Sequence, residues 1–308
     1  MPRTFDIIAP PEIAARIVNQ ICAIEQVMTV HVSPGAGVKP PGDVVTVQTT
    51  NRGIPKIMAV LTGEGLTEGA ISVSTSEPIS VIHQPMEGSI FKDTSEASWE
   101  EMDRMLAKES NMTFYSLTLM AIAGFLAVMG LMLNTLHIVI ASQLIAPGFE
   151  PIVRISMSLV GGEPTWRTAI WHTIGGYLAL MTGAAATMLI SGALGLWINT
   201  GTSTYLEGDS LMTYWTTFSP QGLVITAVAT VAGAVLVITN RSVLTAGVMV
   251  ALTLIPIASL MPMTLILTRY DLFWRVFGRF GVEILLILGI SAGVFVIKRY
   301  KTGVAAAR

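Results

Sequence analysis

Two charged residues, Glu150 and Arg154, stand inside the most apolar half of the chain and lie four positions apart. On a helix this spacing puts both side chains on one face, where a carboxylate and a guanidinium can pair. An ionisable group in a membrane span is costly and usually faces the bundle interior or a water-filled cavity. One interpretation makes Arg154 a contact for an anion, and Glu150 its partner or a site for a proton or cation. The other makes the two residues a structural salt bridge, or places both near the cytoplasmic lipid headgroups.

Prolines interrupt the apolar sequence beside these charges and again about a hundred residues later. Pro147 and Pro151 flank Glu150, and Pro256 and Pro262 form the second pair. Because proline lacks a backbone donor and clashes with the preceding turn, two close prolines open a helix. A plain kink is the alternative, since proline is common in membrane helices. Polar and small residues near both interruptions are the candidate solute contacts: Ser142, Gln143, Pro147, Gly148, Glu150, Arg154, Thr253, Pro256 and Ser259.

Signatures of catalysis, cofactors and metals are missing from the sequence. The single cysteine, Cys22, excludes an intrachain disulfide and a cysteine-based zinc site. The four histidines are widely separated, and neither an H-E-x-x-H, a P-loop nor a G-x-S-x-G motif is present. We therefore expect no enzyme activity, no cofactor and no metal.

Composition divides the chain into two parts. Only 12% of its 308 residues are charged and 52% are hydrophobic, whereas a soluble domain carries about 25% charged residues. Residues 1–112 hold 8 basic and 14 acidic side chains, while residues 113–308 hold 10 and 6. This asymmetry predicts an acidic soluble domain followed by membrane spans, and the balanced total charge does not favour nucleic-acid binding.

The membrane part contains six apolar stretches, each close to the length that crosses a hydrocarbon core of about 30 Å. The second and fifth stretches carry the proline pairs and are the middle members of two sets of three. Two three-span repeats have opposite orientations, and matching broken helices in such repeats mark the binding site of many secondary transporters. We predict an all-α bundle of six spans with a 3+3 inverted repeat and broken middle helices. The stretches are 113–133, 135–160, 168–197, 222–239, 243–267 and 281–297.

The distribution of basic residues predicts that both termini face the cytoplasm. With six crossings, eight basic residues lie at cytoplasmic ends and three, Arg269, Arg275 and Arg279, lie outside. Aromatic residues among those three arginines predict an amphipathic interfacial helix at 269–279. A re-entrant fifth stretch is the second choice. Glu283, four residues after Arg279, is expected to pair with that arginine.

The acidic N-terminal part alternates strand and helix signals. Strands are predicted at 5–9, 27–32, 44–49 and 70–75, helices from Pro11 and at 54–61, and a loop at 33–42. The order β-α-β-β-α-β is that of a small α+β ferredoxin-like module. We predict this module at 1–85, a polar linker and charged connecting helix at 86–112, the transmembrane domain at 113–300 and a tail at 301–308. Without a signal peptide, the module is expected to stay in the cytoplasm.

The chain resembles a bacterial family of unknown function, the uncharacterised hydrophobic domain proteins. The resemblance is anchored on residues 141–147 (ASQLIAP), on Pro151-Ile152 and on Gly161-Gly162, with a weaker anchor at 251–256. It spans about residues 113–300 and implies a membrane region joined to an N-terminal cytoplasmic module in the bacterial inner membrane. Glu150 and Arg154 depart from the family pattern, in which small residues are usual at these positions. The resemblance implies no reaction.

We therefore expect an integral membrane transporter or channel-like protein for a small solute. Half-helix N-termini and Arg154 favour an anionic one. The alternative is a membrane-anchored sensor or scaffold whose N-terminal module binds a ligand or partner. Faces rich in small residues lead us to expect a homo-oligomer in either case.

Overall fold

A computed structural model describes residues 2–66, 69–78, 81, 83–91, 97–162, 164–195, 210–239 and 253–306. The chain separates into two units: Met1–Trp99 with Arg299–Arg308, and Glu100–Lys298.

The N-terminal unit is built on a four-stranded antiparallel sheet. Its strands lie in the order β2-β3-β1-β4, as a ferredoxin-like module requires, and the predicted β-α-β-β-α-β order is confirmed. The elements are β1 (Arg3–Ala9), α1 (Pro11–Cys22), β2 (Val27–Val38), β3 (Pro41–Thr49), α2 (Ile54–Gly63) and β4 (Ser72–Ser76).

Alternation along the strands creates the core of this unit. Buried and partly exposed residues alternate through β1, so that Phe5, Ile7 and Ala9 face one side of the sheet. Helices α1 and α2 cover that same side with residues such as Ile17 and Ile57, both fully buried. Burial of each large apolar side chain contributes about 1.5–3 kcal/mol. The packing of α1 and α2 against one face therefore follows from the period of two in the strands.

The predicted loop at 33–42 is wrong, because β2 continues to Val38 and pairs with β3 almost to the turn. A bulge between Ser33 and Gly37 shifts the register. Gly35 has a positive φ of 63°, and its N–H donates to Asp43 Oδ1 at 2.8 Å. The glycines and proline that suggested a loop instead shape a bulged hairpin.

In the chain, two helices follow the sheet: α3 (Glu87–Phe91) and α4 (Trp99–Glu109). The sequence suggested that α4 is a solvated connector. Instead, Met102 and Leu106 are completely buried and one turn apart, so α4 packs by an apolar stripe while Arg104 and Lys108 are exposed.

Several helices are long and apolar enough to lie in a membrane. These are α5 (Phe114–Met132), α8 (Trp166–Ala193), α10 (Pro220–Ile238) and α12 (Tyr270–Ala306), the last of which meets the test over Tyr270–Tyr300. The bent pair α6 (Leu136–Ile145) and α7 (Glu150–Gly161) makes a fifth span if counted as one. The described residues therefore provide four or five spans, where the sequence predicts six.

Two shorter helices complete the described part of this region: α9 (Ser210–Thr216) and α11 (Leu254–Ile266). The predicted fifth span, 243–267, lies partly outside the described residues. Its described part, the 13-residue α11, is about 20 Å long and does not cross the hydrocarbon core alone.

The predicted break between Pro256 and Pro262 is wrong, since α11 runs through both prolines. Pro256 occupies the first turn, where a backbone N–H has no partner within the helix in any case. Pro262 lies inside the helix, where neighbouring helices allow proline to be accommodated in a membrane. The broken helix is thus seen in the second stretch and not in α11, and the inverted repeat remains a prediction.

The segment 269–279 is not a separate interfacial helix. Residues from Tyr270 onward belong to α12, which is continuous for 37 residues. Phe273, Trp274 and Phe277 contact one another along its first turns. The aromatic cluster therefore marks the beginning of the last span.

Helices α5 and α8 pack through a pair of glycines. A Cβ at Gly183 would collide with the backbone carbonyl of Ala121, and one at Gly124 with that of Leu180. Each contact would be with backbone, which cannot rotate away. Small residues permit this close approach of membrane helices.

We predict that Gly183→Ala destabilises the membrane unit by about 1–3 kcal/mol or more, since overpacking forces the backbones apart. Gly175→Ala on the same helix is the matched control, because a Cβ there meets nothing within 4 Å. Thermal unfolding in detergent provides the measurement. Equal midpoints for the two variants would contradict the packing described.

A second prediction concerns acid stability of the N-terminal unit. Arg16 Nε donates to Glu64 Oε2 at 2.8 Å and lowers the pKa of Glu64 below 4.5. A lowered pKa in the folded state stabilises the unit above the ordinary carboxyl pKa, and this contribution is lost as the pH falls through the lowered value. Arg16→Ala should therefore reduce the acid dependence of the unfolding temperature.

The control is Arg52→Ala, which removes an exposed arginine that has no carboxylate partner among the described residues. The measurement is the unfolding transition of the N-terminal unit in the full chain, from neutral to acid pH. The interpretation fails if both variants keep the wild-type pH profile.

Candidate functional site

The break between α6 and α7 is the centre of the candidate site. Helix α6 ends at Ile145, Ala146 is extended with φ −83° and ψ 120°, and α7 begins at Glu150 with a bend of 43°. The residue before a proline disfavours helical backbone, so Pro147 ends α6. Pro151 lies in the first turn of α7, where its fixed φ favours initiation. The predicted break of the second stretch is confirmed.

Tyr177 of α8 and Ile255 of α11 close around this break. The Tyr177 hydroxyl donates to the Gly148 carbonyl at 3.2 Å. Gly148 is also close to α11, since a Cβ on Gly148 would lie 2.9 Å from Ile255 Cδ1. The tyrosine ring packs edge-on against Phe280 of α12, with centroids 5.1 Å apart. The two proline-marked regions of the sequence therefore come together at Gly148 and Ile255.

Glu150 is buried at the first position of α7, with 8% of its surface exposed. Its carboxylate lies beside the backbone N–H groups of Phe149 and Glu150. Its Oε2 atom, however, has no hydrogen-bond partner among the described residues. A buried carboxylate oxygen without a partner is uncommon and calls for an explanation.

The Glu150–Arg154 salt bridge, one of the two interpretations of this spacing, is not formed among the described residues. Arg154 Nη1 instead donates to the hydroxyl of Ser110, between α4 and α5, at 3.2 Å. Arg154 is 7% exposed, and its Nε atom has no partner among the described residues. The guanidinium of Arg154 therefore bonds outside α7, whereas the carboxyl group of Glu150 stays at the N-terminus of its own helix.

A second polar cluster lies at the beginning of α11. The Thr253 hydroxyl, at the N-cap of α11, contacts both oxygens of Glu283 at 2.6 Å. Arg279 Nε donates to Glu283 Oε1 at 3.2 Å, which confirms the predicted pairing. Both charged side chains are buried, with 3% and 0% exposed.

Arg279 also ties α12 to the end of α9. Its Nη1 atom donates to the carbonyls of Tyr214 at 2.6 Å and Thr217 at 2.8 Å. The guanidinium lies over the ring of Tyr214, 5.8 Å from its centroid. The Thr253–Glu283–Arg279 cluster thus connects three helices around a fully buried ion pair.

The helix ends give the site its electrostatic character. The N-terminus of an α-helix carries a partial positive charge. At α7 this end faces the carboxylate of Glu150, and at α11 the N-cap Thr253 bonds to Glu283. Carboxyl groups of the protein itself therefore lie at the N-termini of both α7 and α11.

The break falls within a segment that matches a known family. Residues 144–289 match the family described as Domain of unknown function (DUF389). The match covers just under half of the chain and agrees with the resemblance to a membrane family of unknown function. No curated protein and no solved structure matches the chain.

The DUF389 segment includes the break, Thr253 and Glu283, whereas Ser142 and Gln143 precede it. Ser142 donates to the Val139 carbonyl at 2.6 Å and Ser259 donates to Ile255 at 2.9 Å, so both hydroxyls bond to their own helices. Gln143 and Pro256 are buried, and Pro147 is partly exposed.

Tyr177 and the Glu283–Arg279 pair lie at the candidate site but were not among the candidate residues. A single tyrosine in an apolar span has no spacing signal, and only the fold brings it to Gly148. Glu283 did carry a signal, since it is an acid in a span with a base four residues earlier. In the described parts of the chain, no group of three or more histidine, cysteine, aspartate or glutamate side chains could hold a metal.

Removal of one partner from the buried pair should be strongly destabilising. We expect Arg279→Met to lower stability by about 3–5 kcal/mol, because it leaves the Glu283 charge buried without its cation. Arg269→Met is the control, since Arg269 pairs with Asp271 nearer the surface and a surface ion pair contributes about 0–1 kcal/mol. Thermal unfolding in detergent distinguishes the two. Equal losses would refute a structural role for the buried pair.

Proposed function

We propose that this chain is an integral membrane protein that moves a small solute or ion across the bilayer, with the break at residues 146–149 at the centre of the path. The supporting observation is a buried, unpaired carboxylate oxygen of Glu150 beside non-helical backbone in an apolar region. In hydrocarbon, non-helical backbone is tolerated only against protein or a water-filled cavity. Ionisable groups in such places commonly lie on ion or substrate pathways.

The arrangement of charges supports a cation or a proton over the anion suggested by the sequence. An anion at the N-terminus of α7 would have to compete with Glu150, and one at α11 with Glu283. Arg279 is bonded to Glu283 and to two backbone carbonyls. Arg154 is the remaining basic side chain of this site for an anion to contact among the described residues.

We also propose that the chain lies in the bacterial inner membrane with both termini in the cytoplasm. The excess of basic residues at the expected cytoplasmic ends supports this orientation. Apolar side chains such as Leu178, Leu189 and Val228 are exposed on the helices, which suits contact with lipid or with a second copy of the chain.

Transport should be measured in liposomes that contain the purified full chain. The probes are sodium, potassium, chloride, phosphate and a pH-sensitive dye trapped inside for protons. We expect protein-dependent flux of at least one cationic probe, and we expect Glu150→Gln to reduce that flux to the level of empty liposomes. Glu12→Gln, an exposed acid in the N-terminal unit, is the matched control and should leave flux unchanged.

The results also distinguish the alternative function. Flux that is equal in wild-type and Glu150→Gln protein would exclude the break as the path. Absence of flux for every probe would favour the sensor or scaffold function, which is supported by the separate hydrophobic core of the N-terminal unit. Flux of chloride or phosphate alone would restore the anion hypothesis.

A further inference from the structure

Two unpartnered polar atoms lie one helical turn apart on α7. They are an acceptor, Glu150 Oε2, and a donor, Arg154 Nε, and neither has a hydrogen-bond partner among the described residues. Both side chains are more than nine-tenths buried. Residues four apart on a helix face each other. The two atoms are therefore complementary and close enough in sequence to pair, yet they are unpaired in this conformation.

Because Arg154 does not pair with Glu150 here, another positive charge must neutralise the Glu150 carboxylate. A buried ionised carboxylate without a paired cation is strongly unfavourable. A metal ion would require several oxygen ligands, six to eight for calcium. One backbone carbonyl of the break, that of Gly148, already accepts the Tyr177 hydroxyl. A proton needs only one oxygen, and Oε2 of Glu150 is available.

We propose that Glu150 is a proton-binding site, and that release of its proton closes an ion pair with Arg154. The proton comes from hydronium, forms an O–H bond at Oε2 of the carboxylate, and returns to water when that bond breaks. The conformation described here is the protonated, unpaired state. In the other state Arg154 Nε donates to the ionised carboxylate, so that both unpartnered atoms are satisfied.

The surroundings of Glu150 suit such a switch. Glu109 at the end of α4 lies within electrostatic range of Glu150, and burial raises the pKa of Glu109. From α8, Tyr177 lies within range of both Glu150 and Glu283 of α12. Arg279 already pairs with Glu283, and the described part of α11 carries no charged residue. Arg154 is thus the cation placed to respond when Glu150 loses its proton.

The contact between Arg154 and Ser110 gives the switch a structural consequence. In the unpaired state Arg154 holds the junction between α4 and α5 through Nη1. Movement of the guanidinium towards Glu150 would weaken the bond from Arg154 to Ser110 and would change the contacts of the break at residues 146–149. As a coupling device this inference rests on the proposed transport function, whereas the proton site itself can be tested without transport.

Infrared difference spectra of the full chain in detergent, recorded at acid and alkaline pH, test the proposal. A protonated carboxyl group gives a C=O band that shifts in D2O. We expect the spectrum of the wild type to contain one such titrating band that Glu150→Gln removes. Glu12→Gln should leave this band in place.

Arg154→Met tests the switch separately. Without the guanidinium, the ionised form of Glu150 has lost its partner, so the band should persist to higher pH than in the wild type. Arg104→Met, an exposed arginine on α4, is the control and should leave the titration unchanged.

Each outcome decides one part of the inference. A titrating band that survives in Glu150→Gln overturns the proton site. A band that titrates identically in wild type and Arg154→Met overturns the ion-pair switch. Loss of the band in Glu150→Gln, together with absence of flux in liposomes, keeps the proton site and rejects the transport function.

Discussion

The membrane part depends on one constraint: every backbone carbonyl freed by the broken helix needs a hydrogen-bond partner. The hydroxyl of Tyr177 supplies that partner to Gly148. A helix that opens in an apolar medium frees backbone carbonyls, and each of these needs a partner. Here the partner comes from α8, at 3.2 Å, and the missing side chain of Gly148 lets α11 approach the same point. The break is therefore a junction of helices, and the polar groups around it are placed by packing.

Charge in this region follows a pattern of local compensation. Arg279 and Glu283 neutralise each other within α12 and use their remaining bonds to hold α9 and α11. Glu150 and Arg154 sit at the same spacing and form no such pair. The Arg279–Glu283 pair is therefore suited to holding helices together. Glu150 and Arg154 each keep an unpartnered polar atom and are suited to a change of pairing.

Periodicity and composition predicted the N-terminal sheet, most of the apolar helices and the break at Pro147, because each depends on a few neighbouring residues. The continuity of α11 through Pro262 was missed, since the surrounding helices decide whether a proline in a membrane opens a helix. The i,i+4 spacing allowed both acid–base pairs. The predicted pairing of Arg279 with Glu283 is formed, whereas Arg154 instead bonds through Nη1 to Ser110, which is distant in sequence. Tyr177 was missed for a similar reason.

The uninterrupted α12 is a long, stiff element that includes the buried Arg279–Glu283 pair. From Glu283 to Ala306 it extends by 23 residues without a break, which is about 35 Å of stiff rod. Over that length a tilt of about 10° at the buried end displaces the far end by roughly 6 Å. A small tilt of α12 at the ion pair would therefore produce a much larger displacement at its C-terminal end.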